Sequence, residues 1–129
     1  MGGVNAVAQV FAIIAGVLHV VFFMLESVLF RRPFVQRAFL VRPESADAVR
    51  RWAFNMGFYN LFLAAGAIAG VILLHTGDET AGRTLVLFTT AAMFLAAIVL
   101  FVSDPRRSRL RSVALQGLPP LIVLLLTVV

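Results

Sequence analysis

The sequence has no cysteine and no lysine, and only two histidines, six acids, one tryptophan and one tyrosine. Without cysteine, disulfides, thiolate catalysis, cysteine-ligated metals and iron–sulfur clusters are excluded within this chain. A metal site needs three or four ligands at suitable spacing. His19 and His75 should lie at different depths, and His19 with Glu26 makes two ligands at most. The expectation is therefore no metal, no haem held by a histidine pair and no cofactor. No serine or threonine stands beside a histidine in a nucleophile motif, so the reading leans away from an enzyme.

What the chain does have is apolar length. Of its 129 residues, 61% are hydrophobic, and the mean hydropathy is +1.00. A soluble domain of this size cannot hide that much apolar surface, whereas a bilayer can. A spanning helix needs about 20 apolar residues. Four runs qualify, at about 5–30, 52–74, 82–102 and 112–129. The predicted fold is all-α: an integral membrane four-helix bundle, one domain over 1–129. The first run ends at Arg31-Arg32-Pro33 without a cleavage pattern, so it is predicted to be a retained helix.

The formal charge is +5, and every basic residue is arginine. The arginines flank the apolar runs, which points to topology rather than nucleic acid. Loop 31–51 holds six of the eleven, loop 103–111 holds four, and loop 75–83 holds one. The positive-inside rule places the first two loops in the cytoplasm and both termini outside. Arg31, Arg32, Arg50, Arg51, Arg106 and Arg107 are then candidates for lipid headgroup contact. The segment from Pro33 to Val41 should lie along the headgroups as a short interfacial helix or turn. Pro43-Glu44-Ser45 suits a helix start.

In the first run, Ala8, Ala12, Gly16, His19, Phe23 and Glu26 recur at helical steps, which puts them on one stripe. Gly16, Gly66 and Gly70 are candidates for close helix packing. The third run is largely featureless. Its Thr84, Thr89 and Thr90 can bond their own preceding carbonyls. In the fourth run, Pro119 and Pro120 either sit in a first turn or kink the helix.

The polar residues in the apolar runs fall at a common level. Glu26 is five residues from Arg31, Asn55 and Tyr59 are four and eight from Arg51, and Gln116 is five from Arg111. At about 1.5 Å per residue, these lie roughly 6–12 Å inside the cytoplasmic boundary. Together with His19 and Asn60 they form a predicted buried polar cluster joining helices one, two and four. A carboxyl in hydrocarbon is costly. Glu26 can avoid the cost by staying protonated, by pairing with arginine, or by accepting hydrogen bonds from Tyr59 and amides. The cluster can be a clasp that sets helix register, or a pocket that handles a proton or holds a polar ligand head.

The pattern Asn55-x-Gly57-x-Tyr59-Asn60-x-Phe62-Leu63-Ala64-Ala65-Gly66 resembles the signature of a small bacterial family of four-helix membrane proteins. That family is known only as a domain of unknown function, number 1304. The His19 and Glu26 pair is similar to the family's first helix, and Gln116-Gly117-x-Pro119 to its last. Met56 stands where glutamine is expected, and the arginine-rich first loop is this chain's own variant. The resemblance covers nearly the whole chain and implies the fold and a bacterial cytoplasmic membrane location, with no established activity.

Three functions compete. One is an accessory or structural subunit of a larger membrane complex, with a respiratory-chain assembly as a plausible host. Another is a proton-linked or small-molecule or lipid binding or transport module, which at four helices requires a homo-oligomer to form a pathway. The third is an enzyme acting on a lipid or quinone-like substrate, with Glu26 and His19 as acid and base. The expected partners are membrane lipids and other membrane subunits.

Overall fold

The computed structural model describes residues 3–128. Five α-helices follow in order: α1 Ala6–Phe23, α2 Pro33–Ala38, α3 Ala46–Thr76, α4 Glu79–Ser103 and α5 Leu110–Val128. A π-helical turn, Met24–Val28, continues α1, and 3-10 turns precede α3 and α5. There is no strand among the described residues. Four helical stretches are long and apolar enough to cross a membrane: Ala6–Val28, Pro43–Thr76, Glu79–Ser103 and Arg107–Val128. This all-helical architecture is that of a multi-pass membrane protein.

The helix ends follow from local chemistry. Asn5 accepts the Ala8 amide through its side chain at 2.9 Å and so caps α1. Gly77, at φ +115°, adopts the left-handed geometry that stops α3 after Thr76. Asp78 then caps α4 by accepting the Ala81 amide at 2.9 Å. The short α2 ends in a Schellman turn: the Val41 amide bonds the Gln36 carbonyl at 2.8 Å, and the Leu40 amide bonds Arg37 at 3.1 Å. Leu40 occupies the position that favours glycine, at φ +57°, a strain of order 1 kcal/mol.

The chain divides into two compact units: Met1–Leu18 with Leu63–Val129, and His19–Phe62. In the first, small residues bring four helical segments together. Val4, just before α1, and Ala8 and Ala12 of α1 bury against Val86 of α4 and Val123 of α5, with Val71 and Leu74 of α3 packed alongside. Ala15, Ala67 and Met93 form a second core. α3 and α4 approach at their backbones. A Cβ on Gly70 would lie 2.9 Å from the Val86 amide nitrogen and 3.0 Å from the Gly82 carbonyl oxygen. One on Gly82 would lie 2.7 Å from the Leu74 nitrogen. Gly66 receives the Thr89 methyl, and Gly16 sits under Ile68. α4, featureless in sequence, supplies one side of this close crossing.

The threonine hydroxyls of this unit bond locally, whereas His75 Nε2 and Gln9 Oε1 join α3 to α1 at 2.6 Å. Thr84, Thr89, Thr90 and Thr127 each donate to the carbonyl four residues earlier, at 2.6–2.8 Å. Pro119 and Pro120 lie inside α5. They are not in a first turn, because the helix already starts at Leu110. Each lacks the amide that would reach back four residues.

In the second unit, α2 folds onto the start of α3. Phe30, Val35 and Ala53 are buried together, with Leu25, Leu29, Phe39, Val41 and Val49 around them. Val35 is inside and Phe34 is exposed, so α2 has a protein-facing side and an outer side.

Candidate functional site

The site is built where the first span changes its winding. The regular helix of α1 ends at Phe23, and the Leu29 amide reaches back five residues to the Met24 carbonyl at 2.8 Å. Such π turns are rare and recur at functional sites. The wider turn changes the angular step per residue. His19 lies in the regular helix and Glu26 in the wider turn that follows it.

The turn presents two polar side chains to α3. The Ser27 hydroxyl donates to the Phe54 carbonyl at 2.8 Å. Gly57 makes this approach possible, since a Cβ there would collide with Ser27 Oγ. Nearby, the Asn60 amide Nδ2 donates to Glu26 Oε2 at 2.7 Å. Asn60 is buried and Glu26 half-buried. A hydrogen bond contributes about 0.5–1.5 kcal/mol net, and a carboxyl in this place needs one.

Beside this bond lies a cavity of about 420 Å³. Glu26, Arg31, Arg50 and Arg51 supply its charged lining, and Val28, Phe30 and Phe54 its apolar walls. The ion pairs among the described residues are elsewhere, between Asp104 and Arg106 at 2.6 Å and Asp104 and Arg109 at 2.7 Å. Hydrogen bonds from those two guanidinium groups hold the Asp104 carboxyl well below the usual carboxylate range, and Asp104 in turn raises Arg106. No carboxylate of the described residues forms an ion pair with Arg31, Arg50 or Arg51.

The predicted cluster is thus only partly assembled. Glu26 and Asn60 meet directly. His19 is fully buried and stands edge-to-face with Phe22 at 5.3 Å, but the hydrogen-bond partner of Glu26 is Asn60. Tyr59 corrects the expectation most clearly. It is 62% exposed and lies in an open groove with Phe54, Asn55, Phe58 and Phe62. The reason is helical phase: Asn60 points inward, so its neighbour Tyr59 points away from the same core. Asn55 is also exposed, and lines the Glu26 cavity. Gln116 is half-buried on α5, in the other compact unit.

Among the arginine candidates, Arg31, Arg32, Arg50, Arg51, Arg106 and Arg107 are all exposed. Arg106 is engaged by Asp104. Among the described residues, no group of three His, Asp or Glu lies close enough to share a metal ion. Ser27 was missed from the sequence, as was the role of Gly57 beyond its place in the motif. The signal that could have found Ser27 is the glycine itself, buried in α3 amid larger residues.

The model of the family described as Protein of unknown function (DUF1304) matches residues 13–128. The chain belongs to this family. No curated protein and no solved structure matches it. The matched stretch contains the whole Glu26–Asn60 site and its cavity, so the site lies within the part of the chain that defines membership.

Proposed function

We propose that this protein is a membrane-embedded binding module whose ligand seats a polar head beside Glu26. The observation that carries the reading is one side chain in two roles: Glu26 takes the Asn60 amide at 2.7 Å and also lines a cavity whose other charged residues are arginines. A clasp that only set helix register would need the first contact and not the second. A proton relay through His19 has less support, because Glu26 bonds Asn60 instead. The arginine distribution favours a bacterial cytoplasmic membrane with loops 31–51 and 103–111 inside and both termini outside. The cavity would then be reached from the cytoplasmic leaflet.

The test is native mass spectrometry on the full chain extracted gently from its own membranes. One small molecule or lipid per chain is expected. Asn60→Leu, which removes the amide donor, is expected to lower occupancy about tenfold, as the loss of one charge-assisted hydrogen bond does. A wild-type chain that carries nothing, or an Asn60→Leu chain that carries the same load, overturns the reading.

A second reading, an accessory subunit of a larger membrane complex or a homo-oligomer, is favoured by Tyr59. Its phenol stands outward next to Asn55, in an aromatic groove where lipid tails offer no hydrogen bond. A stoichiometric second chain in the same extract, lost in Tyr59→Phe, supports it; a lone monomer counts against it.

A further inference from the structure

Resting on the binding reading above, we infer that the Glu26 cavity selects an anionic glycerophosphodiester headgroup bearing a free hydroxyl, the phosphoglycerol of an anionic phospholipid. Topology alone requires arginines in the loop; it does not require them to line a cavity together with a carboxyl. Arg31, Arg50 and Arg51 do so with Glu26, and no carboxylate of the described residues is ion-paired with them. Guanidinium groups favour phosphate oxygens, which they meet with paired donors.

The carboxyl narrows the class. A bare phosphate or phosphomonoester would be drawn by the arginines, and its second charge would be repelled by an ionised Glu26. A zwitterionic head with an ammonium would be drawn by Glu26 and repelled by three guanidinium groups. A phosphodiester with one delocalised charge and a neutral hydroxyl meets both demands. Its phosphate oxygens face the arginines, and its hydroxyl donates to the Glu26 oxygen that Asn60 does not hold. Asn60 bonds Oε2 only, which leaves Oε1 for the ligand. Phe30 and Phe54 offer apolar surface where acyl chains would begin. The volume of about 420 Å³ is within the range of about 300–1,000 Å³ usual for small-molecule sites.

The experiment uses the full chain in nanodiscs of phosphatidylcholine containing equal parts of phosphatidylglycerol and phosphatidic acid. Retained lipid is read by native mass spectrometry. Phosphatidylglycerol is expected to be kept about tenfold over phosphatidic acid, and over phosphatidylcholine by more. Arg50→Gln with Arg51→Gln should lower retention of both anionic lipids about tenfold. Glu26→Gln should keep anion retention but bring the two lipids to parity. Equal retention by the wild type, or a preference that survives Glu26→Gln in a helical protein, overturns the headgroup assignment while leaving a binding site. If the double arginine variant changes nothing, the assignment fails even without Glu26→Gln. A wild type that retains no lipid or other molecule, in nanodiscs or from its own membranes, defeats the binding reading itself. Soluble glycerophosphoglycerol that displaces the lipid at equal concentration moves the source from bilayer to cytosol and overturns the lipid assignment.

Discussion

In the unit made of 1–18 and 63–129, Gly70 and Gly82 set one helix backbone against another, and the threonines bond only their own helices. In the unit 19–62, two polar side chains reach across beside a cavity: Ser27 to the Phe54 carbonyl, and Asn60 to Glu26. The first arrangement sets backbones in close contact, and the groove lined by Ala6, Gln9, Val10, Ile13, Ile14 and Val71 in that unit has no charged side chain. The second leaves a charged cavity of about 420 Å³ beside its polar bonds. Helices in lipid have no hydrophobic drive to associate with one another, so tight apposition and hydrogen bonds must do the work. Each unit uses both: His75 Nε2 and Gln9 Oε1 meet at 2.6 Å in the first, Gly57 admits Ser27 in the second, and the charged cavity falls in the second.

The comparison breaks most directly at Gly82. Gly82→Val would push a side chain against the Leu74 nitrogen and Gly70 carbonyl, at 2.7 and 2.8 Å already from its Cβ. Neither is a flexible side-chain end, so a cost of about 3 kcal/mol is expected, at the upper end of over-packing. Reversible unfolding in mixed micelles measures it, and a variant as stable as the wild type would refute the close crossing.

Gly57 sharpens the contrast. Gly57→Ala places a methyl on Ser27 Oγ, and about 1–3 kcal/mol should be lost. In a Ser27→Ala background much of that loss should vanish, since the colliding oxygen is gone. If the two substitutions are simply additive in the same unfolding assay, the π turn does not seat at Gly57.

The smallest effect belongs to Asp104. Hydrogen bonds from Arg106 and Arg109 lower its pKa in the folded chain, so its contribution to stability is fully present above the unfolded value, about 4. That contribution is lost as pH falls through the folded value, and not between pH 7 and 5. Asp104→Asn should lower stability at neutral pH slightly and flatten the acid limb by the same small amount, because the pair is solvent-accessible and screened. An equally steep acid limb in the variant would place the acid sensitivity elsewhere.

Much of the scaffold was legible. Apolar run length marks the four spans, Gly77 marks the end of α3, and the i−4 bonding of the threonines follows from their type and place in a helix. The stripe of Ala8, Ala12, Gly16 and His19 is indeed buried. The site was less legible, because a common depth says nothing about direction around a helix. Asn60 and Tyr59 are neighbours in sequence and at nearly the same level, yet one is buried and the other exposed. The π turn that carries Glu26 has no signature in the apolar pattern.

By itself the sequence determined the class of protein: run length and arginine placement dictate what lipid will accept, and that preference is set residue by residue. Only the tertiary structure decided which glycine meets which backbone, which polar group Glu26 bonds, and that arginines from two loop ends line one cavity with it. Those depend on helix phase and winding, which emerge when separate segments touch.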